Sequence, residues 1–183
     1  MRKLFFLIFF LCFFAHTLIM AETFTNDKYK ISFTISDAWE KAPKVPQQII
    51  ALYVTKDSLM LENQFIPNVS MTVDEASAEK LSKCEDFTKQ MVETLKKNGY
   101  EVKSTGKEDK VKKLDVFSNT FTRQVKSVSE DSKDEKLELV LKQKQYYILH
   151  NKKYYIVTYS GKENDFEKHE PQILELLNSI TFK

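Results

Sequence analysis

The sequence predicts an α+β domain in which an antiparallel β-sheet is flanked by helices. Three observations predict it. Several runs alternate apolar and polar residues with the two-residue period of half-buried strands. One stretch, from Ala78 to Asn98, switches to the three- and four-residue steps of an amphipathic helix, and a second helical stretch lies near the C-terminus. The elements run as strands, helix, strands, helix. That order favours an antiparallel sheet covered by helices over a regular β-α-β-α alternation and its parallel sheet.

The chain opens on a leader. Arg2 and Lys3 precede an unbroken apolar run from Leu4 to Ala15, and Ala21 ends Leu18-Ile-Met-Ala21 with a small residue, the layout of a secretory signal peptide cut after Ala21. The alternative is an uncleaved anchor, since the apolar stretch approaches the ~20 residues of a membrane span. The domain then occupies residues 22–183, exported to a periplasmic or extracellular location. The leader carries two of the 28 Lys and Arg and no acidic residue, so the mature chain has 26 charges of each sign. A neutral balance gives no footing for nucleic acid or for an anionic membrane surface. Cys12 leaves with the leader and Cys84 is left alone, so no disulfide forms within the domain.

Tyr29 to Ile35 alternates as a strand, with Tyr29, Ile31, Phe33 and Ile35 inward. Ser36-Asp-Ala-Trp39 is a turn that folds the only Trp back onto the sheet, and Pro43 and Pro46 bracket a loop. Gln47 to Thr55 is a strand apolar on both faces. Pro67 to Asp74 is another alternation, burying Val69, Met71 and Val73. The helix from Ala78 to Asn98 carries Leu81, Cys84, Phe87 or Thr88, Met91 and Leu95 on one stripe. Its cap is Ser77, or Ser82 with Glu85 as a capping box, and Gly99 supplies the left-handed terminator. Tyr100 to Lys113 is an edge strand or excursion. Val116 to Val125 places Phe117, Phe121 and Val125 on one face with Asn119 and Arg123, and Leu137, Leu139 and Leu141 open the next strand. Asn164 to Asn178 reads as a helix in two pieces with Pro171 in the first turn of the second, and Ser179 to Phe182 as a closing strand.

The chain is organised around Gln145 to Ser160. Gln145-Tyr-Tyr-Ile-Leu149 and Tyr154-Tyr-Ile-Val-Thr-Tyr159 read as a hairpin with a four-residue loop, His150 to Lys153. One face carries Tyr147, Leu149, Tyr155, Val157 and Tyr159, the other Tyr146, Ile148, Tyr154 and Ile156. Strands apolar on both sides belong in the middle of a sheet covered above and below.

Residues that carry chemistry are few. There is no glycine-rich phosphate loop, no Cys-x-x-Cys and no G-x-S-x-G elbow. His150, at the hairpin tip, and His169, in the last helix, stand apart from any other ligand and read as solvent-exposed. Cys84 lies on the inner stripe of a helix, where a small buried hydrophobe is the plain reading and a nucleophile would be poorly exposed. Glu130, Asp131, Asp134 and Glu135 lack the spacing of a calcium loop and surround Lys133, as a solvated hairpin tip would. The sequon Asn68-Val-Ser70 falls in a strand. No catalytic, cofactor-binding or metal-binding residue is expected from these patterns.

Tyr29 to Ile35 followed by Trp39, Asn68-Val-Ser-Met-Thr-Val73, the helix ending at Gly99, the Gln145–Ser160 hairpin, Phe166, Pro171 and Leu177-Asn-Ser-Ile180 together resemble the PsbP-like superfamily. The likeness is to its bacterial DcrB-like branch of small secreted or envelope proteins, and it covers nearly all of residues 24–183. The chain departs from it in the Ser-Asp-Ala turn before Trp39 and in lacking a lipidated cysteine. The resemblance implies an α-β-α sandwich and action by binding protein rather than by catalysis. The expected partner is another envelope or secreted protein, with membrane contact only through a retained leader. A carrier of a lipid or small hydrophobe in a cavity between sheet and helix is the alternative.

Overall fold

In the β8–β9 hairpin, formed by Lys136–His150 and Lys153–Lys162, Tyr147 lies opposite Ile156 and Tyr146 opposite Val157. The computed structural model describes residues 21–56, 65–128 and 136–183. The remaining strands are β1 (Glu22–Asn26), β2 (Ile31–Ile35), β3 (Trp39–Lys41), β4 (Ile49–Thr55), β5 (Asn68–Asp74), β6 (Glu101–Lys107), β7 (Val116–Val128) and β10 (Thr181–Phe182). The helices are α1 (Ala76–Lys80), α2 (Cys84–Lys97) and α3 (Phe166–Ser179). A seven-stranded antiparallel sheet runs β3-β4-β5-β9-β8-β7-β6, and a three-stranded sheet runs β1-β2-β10. The hairpin is central, with β9 fourth of seven.

Its loop is shorter than the sequence suggests. His150 pairs with Lys153, leaving only Asn151 and Lys152 to turn, with φ of 47° and 56°. Two left-handed residues in a two-residue connection make a type I′ turn, whose twist matches that of the strands. Cross-strand partners share a face of the sheet. Tyr146 and Ile148 therefore lie with Tyr155, Val157 and Tyr159, and Tyr147 and Leu149 with Tyr154 and Ile156. The expected grouping of faces put Tyr147 and Leu149 with Tyr155 and overlooked that this turn pairs even-numbered positions with odd ones.

Each face has its own cover. On the first, Ile31, Phe33 and Ile35 of β2 and Ile173, Leu176 and Leu177 of α3 pack on Tyr146, Ile148, Tyr155, Val157 and Tyr159, continuous with Tyr53, Val69 and Met71. On the second, Ala78, Cys84 and Phe87 pack on Tyr147 and Tyr154. Trp39 is buried, lies edge-on to Tyr159 and donates from Nε1 to Oε1 of Gln172 at 2.7 Å, which ties β3 to α3. The strand β1 was not foreseen. Glu-Thr-Phe-Thr-Asn is short and mostly exposed, and only Phe24, stacked on Phe33 at 4.8 Å, marks it as paired.

The long helix is broken. Residues 81–83 separate α1 from α2, and the hydroxyl of Tyr154 points at the carbonyls of Leu81 and Lys83, 2.9 Å from each, while Phe87 stacks on its ring at 4.0 Å. A hydroxyl from the sheet thus serves carbonyls that a continuous helix would have bonded itself. Neither expected cap forms. The Asp74 carboxylate accepts the Ser77 N–H at 2.9 Å, and α2 starts after Lys83 with no side-chain cap. The C-terminus matches expectation. Gly99 has φ of 79°, its N–H reaches the Lys96 carbonyl and that of Tyr100 the Leu95 carbonyl, a Schellman closure. The last helix is single. A 3₁₀ turn, Glu163–Asp165, leads into α3, and Pro171 sits inside it on the exposed side, while Phe166, Ile173, Leu176 and Leu177 hold the buried stripe together across the missing N–H.

Two outcomes follow from the hairpin. Lys152→Gly should raise stability by about 0.5–1 kcal/mol, because glycine holds the left-handed conformation without a Cβ penalty, and the denaturant midpoint measures it. Tyr154→Phe should lower stability by about 1–2 kcal/mol through the unserved carbonyls at the helix break, which the same measurement checks.

Candidate functional site

On the face of β8 that carries Tyr146, the next two positions away from the turn are Lys144 and Lys142. The strand's apolar face turns basic where α3 begins. Glu163 lies in the 3₁₀ turn, and Glu167 and Glu170 follow at helical spacing on α3, so carboxylates meet the two lysines. Lys142 Nζ lies 2.6 Å from Glu167 and 4.7 Å from the centre of the Phe166 ring. Lys144 Nζ lies 2.7 Å from Glu170 and 2.8 Å from Glu108, which the β6–β7 connection brings in from the other side. Beyond them β7 contributes Thr120 and β6 contributes Lys103 and Ser104, with Lys110 at the end of a groove of about 520 Å³.

The Glu108–Lys144–Glu170 triad is sheltered, the side chains being 9%, 13% and 15% exposed. Burial by itself disfavours the Lys144 ammonium, but hydrogen bonds to Glu108 and Glu170 outweigh it and hold the pKa above the usual lysine value. The bond from Lys142 lowers the pKa of Glu167. Behind Lys144, whose ammonium lies 5.1 Å from the Tyr146 ring, the Tyr146 hydroxyl is buried with no hydrogen-bond partner among the described residues. Burial, with the charges of Glu170 and Glu108, raises its pKa and keeps it protonated.

The residues singled out by sequence do not converge. Cys84 is buried at the start of α2, its thiol donating to the Tyr147 carbonyl at 3.7 Å, and burial raises its pKa. A smaller cleft of about 320 Å³ beside it is lined by Lys83, Glu85, Asp115, Phe117 and Leu149 among others. Neither His is freely solvated as expected. His150 is half-buried and stacked on Phe182 at 4.0 Å, because β10 closes beside it. His169 is half-buried with its ring 5.6 Å from Trp39. Asn68 is half-buried in β5, paired with Val54 and Ser160, and its side chain donates to the Ile66 carbonyl. The acidic group Glu130, Asp131, Asp134 and Glu135 lies outside the described residues. Among the described residues no three His, Cys, Asp or Glu gather as metal ligands, and no helix is long and apolar enough to cross a membrane. The apolar space under α3, lined by Phe33, Tyr53, Met71 and Leu176 among others, is about 10 Å³, at the lower limit for holding a single water.

Sequence reading missed the groove. Its signal was the replacement of Tyr and Ile by Lys at alternate positions of one strand, followed by Glu at helical spacing some twenty residues on. Glu108 gave no signal, since only the fold brings it to Lys144.

No family model matches the chain, and no curated protein matches it. Solved structures do. Mog1p, the Ran-binding protein of Saccharomyces cerevisiae, is similar with a TM-score of 0.57 and 10% identity, over 90% of this chain and 96% of that one. Cyanobacterial PsbP from Synechocystis sp. PCC 6803 is similar with a TM-score of 0.51 and 12% identity, over 91% and 94%. The chain has the PsbP-like fold. A Bacteroides thetaiotaomicron protein gives a TM-score of 0.55 at 8% identity over 88% of this chain, which spans 48% of that longer one. At such identities the likeness extends to the architecture alone.

Removing the central lysine tests the triad. Lys144→Ala leaves two sheltered carboxylates facing each other and should cost about 3–5 kcal/mol at pH 7. Because the Lys144 pKa is raised in the folded state, its contribution is complete below the unfolded lysine value of about 10.4 and is lost as pH climbs through the folded value. The deficit should therefore be flat from neutral pH to about pH 9 and narrow above about pH 10.4, as urea unfolding at several pH values measures.

Proposed function

We propose that this PsbP-like chain is a non-enzymatic, exported accessory protein of the cell envelope that acts by binding another protein, with the groove between β6 and α3 as the contact. The observation that carries the reading is the groove itself, open, polar and gathered around a sheltered ion triad. The leader from Arg2 to Ala21 supports export, and the Ran-binding description of Mog1p supports protein contact as a use of this fold. A carrier of hydrophobic ligands needs a largely apolar pocket of some ~300–1,000 Å³, and the 10 Å³ space under α3 lends that alternative no support.

Photo-crosslinking in cells tests the contact. A crosslinking residue in place of Ser104 or Thr120 should give a discrete protein adduct, and one in place of exposed Lys89 on α2 should not. Adducts from Lys89 with none from the groove would refute the assignment. In the same material the mature protein should begin at Glu22 by mass spectrometry, and an intact N-terminus would replace a cleaved leader with a retained anchor.

A further inference from the structure

The mature chain is neutral in sum, but its lysines are unevenly placed. Three turns and the last strand meet at one end of the molecule. The Lys183 N–H donates to the Lys30 carbonyl at 2.8 Å, which joins the end of β10 to the β1–β2 loop. Phe182 stacks on His150 beside the β8–β9 turn, and the Tyr155 hydroxyl donates to the Tyr29 carbonyl at 3.0 Å. The Asn178 side chain, at the end of α3, accepts the Lys112 N–H and donates to the Lys110 carbonyl, which brings in the β6–β7 connection. Lys28 and Lys30 stand on the first of these turns, Lys152 on the second, and Lys110, Lys112 and Lys113 on the third. All six are exposed, and none forms an ion pair among the described residues. Lys107 and Lys153 are matched by Asp115 and Glu75, and Asp27, Asp74 and Asp109 offset only half of the six. This end is basic.

Two of these lysines hold backbone that glycine would hold at less cost. Lys30, the last residue of the β1–β2 loop, has φ of 53°, and Lys152 in the type I′ turn has φ of 56°. A Cβ in that left-handed region carries a steric penalty. Strained positions of this kind gather where a function needs the side chain. At both, the side chain retained is an ammonium group.

The arrangement suits a broad anionic surface rather than a single ligand. The six lysines are spread over three turns, and only Lys110 lines any of the clefts described above. Arginine, with its fixed fork of donors, is the residue for carboxylates or phosphates held in set positions. The only arginine after the leader, Arg123, lies toward the other end of β7. Lysine supplies a point charge on a flexible stem, which serves where headgroups are mobile. Half-buried Tyr29, with the Lys28 ammonium 4.9 Å from its ring centre, adds the amphipathic aromatic common at membrane–water interfaces.

We infer that this end docks on a membrane surface rich in anionic lipid headgroups, through the lysines of its three turns. Ser104, Thr120 and Lys144, neighbours across β6, β7 and β8, lie about 20 Å along β8 from His150. A docked protein therefore keeps that part of the groove clear for a protein partner.

The test mixes the mature protein with vesicles of phosphatidylcholine, alone or with phosphatidylglycerol. The protein should sediment with the anionic vesicles only and be released as salt rises and screens the attraction. Lys30→Gly with Lys152→Gly should weaken binding by about 30-fold while raising the urea midpoint, so lost binding cannot reflect lost folding. Lys30→Arg with Lys152→Arg keeps the charge and should keep the binding, without the gain in midpoint. Lys96→Gln with Lys97→Gln removes the same charge from the last turn of α2 and should leave binding unchanged. Equal binding to neutral vesicles, binding to neither kind, binding that survives the glycine pair, or an equal loss from the α2 pair would each overturn the inference. So would a preference for soluble polyglutamate over the anionic vesicles, which would assign this end to an acidic protein. Groove adducts in cells test the protein-binding reading independently of the vesicles.

Discussion

The β8–β9 pair is apolar on both faces, and that constraint organises the molecule. Tyr146, Ile148, Tyr155, Val157 and Tyr159 face one way and Tyr147, Leu149, Tyr154 and Ile156 the other. Neither set is stable against water, so the sheet needs a layer on each side. The first layer is α3 with β2, and the second is α1 with α2. Tyr154 shows how closely cover and sheet depend on each other. Its ring stacks on Phe87 and its hydroxyl meets the carbonyls at the helix break, so one sheet residue shapes the path of the chain that covers it.

The cover is incomplete, and the groove lies where it stops. As β8 runs away from the turn, its α3-facing positions change from Ile148 and Tyr146 to Lys144 and Lys142. Apolar packing gives way to ion pairing along one strand. A sheltered triad adds little net stability compared with a packed apolar core, but removing one member exposes the cost of the others. Glu108, Lys144 and Glu170 therefore fix the spacing of the β6–β7 connection, β8 and α3, and with it the width of the groove.

Much of this was legible in the sequence. The α+β class, the central hairpin, the inward set of β2 and the glycine stop at Gly99 all follow from period and local chemistry. What escaped depends on long-range partners. The break after α1 is stabilised by Tyr154, some seventy residues away. The short strand β1 exists because β2 offers it an edge, and Pro171 is carried inside α3 because the buried stripe holds both sides of it. The two faces of the hairpin were mis-sorted for a different reason, a neglect of register rather than of chemistry. The groove was half legible. Lys142, Lys144 and the glutamates of α3 leave a local pattern, whereas Glu108 joins them only once the β6–β7 connection, β8 and α3 are side by side.

Native-state hydrogen exchange tests most directly whether the two-faced hairpin is the centre on which the fold depends. The amides of Tyr147, Ile148, Ile156 and Val157 should be the slowest in the protein and exchange only through global unfolding, while those of β6 open locally. Slowest exchange in α2 or β6, with the hairpin opening at lower free energy, would contradict the account.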